Sequence, residues 1–181
     1  YDKEISDIAV QTTNVKVALT TNGNGVTRKI LTIGDSTVNN GTTNLKVSQY
    51  FEADVMDVTF IGTRTSQGLL HEGRSGWQFS NYGTDFPDNP FWNSGTSSFD
   101  FSYYLTSTSQ TMGANDWVLI QLGINDMFGA ALMDNSVDID AKILLIKGYL
   151  DAMIASIHAH NADIRIGISV TIPPAISQDA T

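Results

Sequence analysis

The sequence predicts an α/β protein of three layers, with a central parallel sheet covered on both faces by helices. Short apolar runs of strand length recur at residues 29–33, 55–61, 116–122 and 164–170, and a long segment of helical period, residues 139–160, lies between the last two. Apolar strands alternating with helix are the pattern of a parallel sheet whose crossovers lie on its faces. A length of 181 residues is enough for one domain with a real core, since about two thirds of the extended chain's surface is buried at this size.

Residues 1–27 alternate loosely, as in Ile8, Val10, Val15, Val17 and Leu19, and end in the polar turn Thr21-Asn22-Gly23-Asn24-Gly25. They read as an N-terminal extension or linker, and a short hairpin and a partly ordered leader fit equally. The domain is expected over residues 28–181. Its first strand, residues 29–33, runs straight into Gly34-Asp35-Ser36; a helix candidate follows at 44–51, then the second strand at 55–61. Residues 63–113 show little periodicity and are rich in Gly, Ser, Asn and aromatics, which suggests a long functional loop. The third strand, 116–122, precedes the clearest helix, where Ile139, Ile143, Ile146, Leu150, Ile154 and Ile157 fall on one face. A fourth strand, 164–170, ends near Pro173-Pro174.

The net charge of −9, from 19 acidic and 10 basic residues without a basic run, opposes a polyanionic partner such as nucleic acid. No apolar run has the length of a bilayer crossing, so no membrane span is expected. The chain begins without a basic and apolar leader, which predicts that a secretion signal is absent or removed. Cysteine is absent, which excludes disulfides, a thiolate nucleophile and cysteine metal ligands. The wealth of Thr, Ser, Asn and Gly with few lysines suggests an extracellular or particle-associated protein. No cofactor and no metal are expected: the histidines lack ligand spacing, and His158 and His160 diverge by about 200° around a helix.

Three short segments carry residues suited to chemistry. Ser36 lies at the carboxyl end of the first strand, where open α/β sheets place their ligands; it is either a helix cap or a nucleophile whose own N–H helps to hold an oxyanion. Gly123-Ile124-Asn125-Asp126 follows the third strand, and Asn125 either closes an Asx turn or donates its amide to the same oxyanion. In His71-Glu72-Gly73-Arg74-Ser75-Gly76-Trp77, Gly76 offers a further N–H. Arg74 and Trp77 suit a hydroxylated ring substrate, although Arg74 may equally pair with Glu72 or Asp85 in an ordinary surface loop. Asp35 and Asp126 read as supports that anchor their turns through backbone N–H groups.

In this order, each after its own strand, these segments resemble the SGNH hydrolases, also called GDSL-like esterases and lipases. Ile33-Gly34-Asp35-Ser36 resembles the block that carries the nucleophile, Gly73 with Ser75-Gly76 the block that lends an oxyanion-hole N–H, and Gly123-Ile124-Asn125-Asp126 the block that lends an oxyanion-hole asparagine. The resemblance implies a flavodoxin-like SGNH fold and catalytic roles for Ser36, Gly76 and Asn125. His-Glu-Gly-Arg-Ser-Gly-Trp is similar to carbohydrate acetylesterase-like members, which implies an acylated carbohydrate or other small ester as substrate, with His71, Arg74 and Trp77 at the substrate.

The family's Asp-x-x-His block, which supplies the general base, has no counterpart here. The expectation is a domain truncated at its C-terminus, impaired for turnover, with a larger polypeptide or an oligomer covering the edge left open. His158 and His160 read as helix-end residues, and His71 as a pocket residue, with a substitute base as its alternative role. A glycan-binding or structural module of a phage tail or cell-surface assembly, keeping the fold without turnover, is the alternative.

Overall fold

The structure is a computed structural model that describes residues 19, 21–127 and 136–169. The alternating residues at 8–17, the end of the fourth predicted strand and Pro173-Pro174 lie outside the described residues.

Strand β1 (Thr27–Gly34) is the centre of the sheet, and its last five residues are buried. Helices α1 (Ser36–Asn39) and α2 (Thr43–Ala53) follow it, then β2 (Asp57–Ile61). Next come β3 (Arg64–Ser66), β4 (Leu69–Gly73), α3 (Phe79–Gly83), the two-residue strands β5 (Trp92–Asn93) and β6 (Ser98–Phe99), and α4 (Phe101–Ser107). The chain then forms β7 (Trp117–Gln121), α5 (Ile124–Met127), α6 (Ser136–His160) and β8 (Arg165–Ile168). The three-layer α/β/α arrangement with a largely parallel sheet is therefore present.

One side of β1 pairs in parallel with β7, which pairs in turn with β8. The other side is shared. β2 runs beside Thr27–Leu31, and β4 takes over beside Ile33 and Gly34. Between them the chain leaves the sheet as the antiparallel β3–β4 hairpin, closed by Gln67 and Gly68 with φ of 53° and 77°, as a two-residue type I′ turn requires. The departure pivots on Gly62, at φ 154°, where a Cβ would lie 2.3 Å from the His71 carbonyl oxygen. Residues 63–113 are thus less irregular than the sequence suggests: they form two hairpins and two short helices, each too short for periodicity to reveal.

Alternation along β1 separates the two faces. Leu31 and Ile33, with Val118 and Ile120 of β7, join a core made with α3, α4 and α6 through Phe79, Tyr82, Phe101, Tyr104, Met153 and Ile157. On the opposite face the Thr32 hydroxyl donates to Asn44 Oδ1 at 2.7 Å, and Asn44 Nδ2 donates to the Leu70 carbonyl at 3.0 Å, pinning α2 to the sheet. Phe91 is fully buried and stacks on Tyr104 and Phe99 at centroid distances of 4.2 and 4.8 Å. The expected apolar face of α6 is shifted: Ile146, Leu150, Met153 and Ile157 pack on the core, whereas Ile143 is 50% exposed.

Candidate active site

Three loops meet at the carboxyl edge of β1, β4 and β7, and hydrogen bonds fix each to its neighbour. Asp35 caps α1, its carboxylate accepting from the Thr37 N–H at 2.8 Å and the Thr37 hydroxyl at 2.7 Å. Gln121, the last residue of β7, donates to Thr37 Oγ1 at 2.7 Å. Asn39 and Asn40 each donate through Nδ2 to Ser75 Oγ at 3.1 Å, and the Arg74 N–H donates to the Gly34 carbonyl at 2.9 Å. Asn125 Nδ2 donates to the Trp77 carbonyl and Gln78 Nε2 to the Asn125 carbonyl, both at 2.9 Å. The buried carboxylate of Asp126 accepts from the Phe79 N–H at 3.3 Å, and burial pushes its pKa above the usual carboxylate value.

At this junction Ser36 is half-buried, opens α1, and its hydroxyl has no partner among the described residues. As the first residue of a helix it also has no intrahelical acceptor for its N–H. Gly76 occupies the third position of the turn Arg74–Trp77, closed by the Trp77 N–H on the Arg74 carbonyl at 3.2 Å. Its φ of 78° is the value a type II turn demands there, and a Cβ at Gly76 would meet nothing within 4 Å. Its N–H makes no hydrogen bond among the described residues, and Asn125 is tied to the next residue, Trp77. A hydroxyl, two unpaired backbone N–H groups and an amide collected at one sheet edge form a set of donors around a potential nucleophile.

A buried polar network stands behind this edge. Glu72 is fully buried and binds Arg74 Nη1 at 2.5 Å, the Thr63 N–H at 2.6 Å and the Tyr104 hydroxyl at 3.0 Å. The Tyr82 hydroxyl donates to the Gly34 carbonyl at 2.7 Å and also reaches the Glu72 carbonyl. Burial raises the pKa of both phenols far above the ordinary tyrosine value, so both stay protonated as donors.

The chain's three histidines lie away from Ser36. His71, expected at the substrate, is instead fully buried in β4, where Nδ1 accepts from the Gly73 N–H at 2.9 Å and Nε2 has no partner. A group so enclosed touches no ligand at the surface. His158 and His160 close α6, just before β8. Arg165 of β8 is level with Trp117 and so with Ile30, and Gly34 lies about 13 Å further along at about 3.3 Å per residue. The two histidines therefore sit at the opposite edge of the sheet from Ser36.

Desolvation lowers the pKa of His71. The unfolded chain then binds a proton that the folded chain refuses, so stability should fall as pH drops below about 6.5, the free imidazole value, toward the folded pKa. His71→Asn keeps an acceptor in the place of Nδ1 but cannot titrate. Melting curves between neutral and mildly acid pH are expected to show a flatter decline for the variant; parallel curves would mean that His71 does not contribute.

No family model, curated protein or solved structure matches the chain. A serine–histidine contact of the kind serine hydrolases use is present elsewhere: Ser102 Oγ lies 2.9 Å from His160 Nδ1, with His160 Nε2 3.4 Å from the Met112 carbonyl. It borders a cavity of about 340 Å³ with Leu105, Gln110 and Met112. The Asp100 carboxylate, however, caps the same helix turn by accepting from the Tyr103 N–H at 2.9 Å, and its charge there opposes an oxyanion. Ser102 thus has a histidine at contact distance, and Ser36 has none among the described residues.

Beside the Ser36 edge lies a groove of about 370 Å³ lined by Asn39, Arg64, Arg74, Ser75, Trp77, Phe86, Pro87 and Asp88. Of the aromatics in residues 77–91, Phe79, Tyr82 and Phe91 are core, whereas Trp77 and Phe86 line this groove. Arg64 and Asn39 escaped the sequence reading. Asn39 and Asn40 stand three and four residues after Ser36, a spacing that puts side chains near one another on a helical turn; Arg64 carried no signal. Among the described residues no cluster of three or more His, Asp or Glu side chains is placed to hold a metal, and no helix is long and apolar enough to cross a membrane.

Proposed function

We propose that this chain is built for serine ester hydrolysis of the SGNH type, removing small acyl groups, acetyl first, from a carbohydrate. The observation that supports the reading is that the loops carrying Ser36, Gly76 and Asn125 are tied together at one sheet edge, by the bonds of Asn39 and Asn40 to Ser75 and of Asn125 to the Trp77 carbonyl. The strand sequence across the sheet, with β2 and β4 sharing one place beside β1 and β7 and β8 beyond, agrees with the first four positions of the flavodoxin-like order.

In the proposed reaction Ser36 Oγ attacks the ester carbonyl, its proton passes to a base, and the N–H groups of Ser36 and Gly76 with the Asn125 amide hold the tetrahedral oxyanion. Collapse breaks the bond to the alcohol, which takes a proton as it leaves, and water then releases the acid from Ser36. Because all three histidines sit elsewhere, no imidazole is placed to take the first proton, and turnover is expected to be slow. That same placement favours a second reading, a glycan-binding module on a degenerate esterase fold, for which the groove with Trp77 and Phe86 would suffice.

Incubation with a chromogenic acetate ester, followed by peptide mass spectrometry, tests the assignment. One acetyl group on Ser36, absent from Ser36→Ala, is expected. An acetyl group on Ser102 would move the nucleophile to the Ser102–His160 contact, and no acetylated serine would leave the binding-module reading in front.

A further inference from the structure

We infer that the groove beside Ser36 is a subsite for an acidic sugar, a pyranose that carries a carboxylate. The inference rests on the esterase reading only for the subsite's role, since it places this sugar next to the ester under attack. Two cationic side chains line the groove, and Arg64 has hydrogen-bonding capacity to spare. Arg64 is exposed on β3; its Nε donates to Asn39 Oδ1 at 3.2 Å, and it makes no ion pair among the described residues. That one bond orients the guanidinium and leaves its terminal N–H groups free as a fork, the geometry that matches a carboxylate.

Arg74 is only 7% exposed; Nη1 is committed to Glu72, while Nε is buried without a partner. Its guanidinium is paired with Glu72 and stacked over Trp77 at 4.9 Å to the ring centroid, so the anchor for a ligand's charge is Arg64.

The remaining lining defines what surrounds the charge. Phe86, exposed and edge to face with Trp77 at 5.2 Å, presents apolar ring surface suited to the C–H face of a sugar. Ser75, whose oxygen already accepts from Asn39 and Asn40, adds a hydroxyl that can donate to the sugar, and the exposed carboxylate of Asp88 accepts from sugar hydroxyls. Asp88 also sets a limit on charge: a dianionic phosphate would be repelled more than a singly charged carboxylate held at Arg64. In a chain of net charge −9, an acidic ligand needs such a local cationic anchor, because the overall field opposes it.

Calorimetric titration of the whole chain with methyl glucuronoside and with methyl glucoside isolates the carboxylate, since the two ligands differ only there. The glucuronoside is expected to bind about tenfold more tightly, with the advantage shrinking as salt is raised. Arg64→Ala should erase the difference, and Arg64→Lys should restore only part of it. Equal affinities, an unchanged preference in Arg64→Ala, absence of binding by both, or acetate competing as well as the glucuronoside would each overturn the inference. Ser36→Ala should bind normally, so a failure of acetylation at Ser36 and a failure of this subsite are read separately.

Discussion

Replacing Glu72 by alanine is expected to destabilise the protein by about 3–5 kcal/mol, the cost of leaving a buried charge without its partner. Glu72 is fully buried, and its carboxylate binds the Arg74 guanidinium, the Thr63 N–H and the Tyr104 hydroxyl. Truncation abandons all three donors at once, and Arg74 cannot turn to water because it too is buried. Glu72→Gln should cost less, since an amide oxygen still accepts from Thr63 and Tyr104 while the Arg74 pairing is lost. The double variant Glu72→Leu with Arg74→Met should recover much of the loss, because an apolar pair leaves no unpaired charge. Urea unfolding provides the check: the midpoint should fall at constant slope. A loss of under about 1 kcal/mol, the range of an exposed ion pair, would mean that the network is wetter than its burial implies.

The same network explains how much of the molecule was legible in the sequence. The strands of residues 27–34, 57–61, 117–121 and 165–168 and the helix ending at His160 follow from apolar runs and helical period, since burial imposes those patterns. The β3–β4 hairpin gave no such sign. Its strands are three and five residues long and its turn is Gln67-Gly68, a weaker signal than Asn-Gly.

His71 was misread for a related reason. Within His-Glu-Gly-Arg it looks like a loop residue, but the excursion that brings β4 back beside β1 makes it part of the sheet and buries it. Polar residue types do not announce burial when a local network satisfies them, and Glu72 shows this most clearly. Ser36, Gly76 and Asn125 could be singled out because each directly follows a strand ending on one edge. The groove residue Arg64 could not, as its place depends on the hairpin.

Asn125→Ala is expected to slow acetylation of Ser36 by about 10²–10³-fold, the usual cost of losing one oxyanion donor. The amide is placed for this role: it is half-buried at the start of α5 and anchored through Nδ2 on the Trp77 carbonyl, next to the unpaired N–H of Gly76. One amide hydrogen is used in that anchor, and the second remains to be donated. Acetyl transfer from an activated ester should be followed across pH, because with no imidazole beside Ser36 the rate should rise with hydroxide in both proteins. The variant should be slower at every pH while losing only about 1 kcal/mol of stability, the typical worth of one hydrogen bond. Asn125→Asp sharpens the test, since its carboxylate has the same shape but no donor and places a negative charge beside the oxyanion. A rate loss confined to about twofold in both variants would make Asn125 a turn-closing residue, and the oxyanion would then rest on the backbone N–H groups of Ser36 and Gly76 alone.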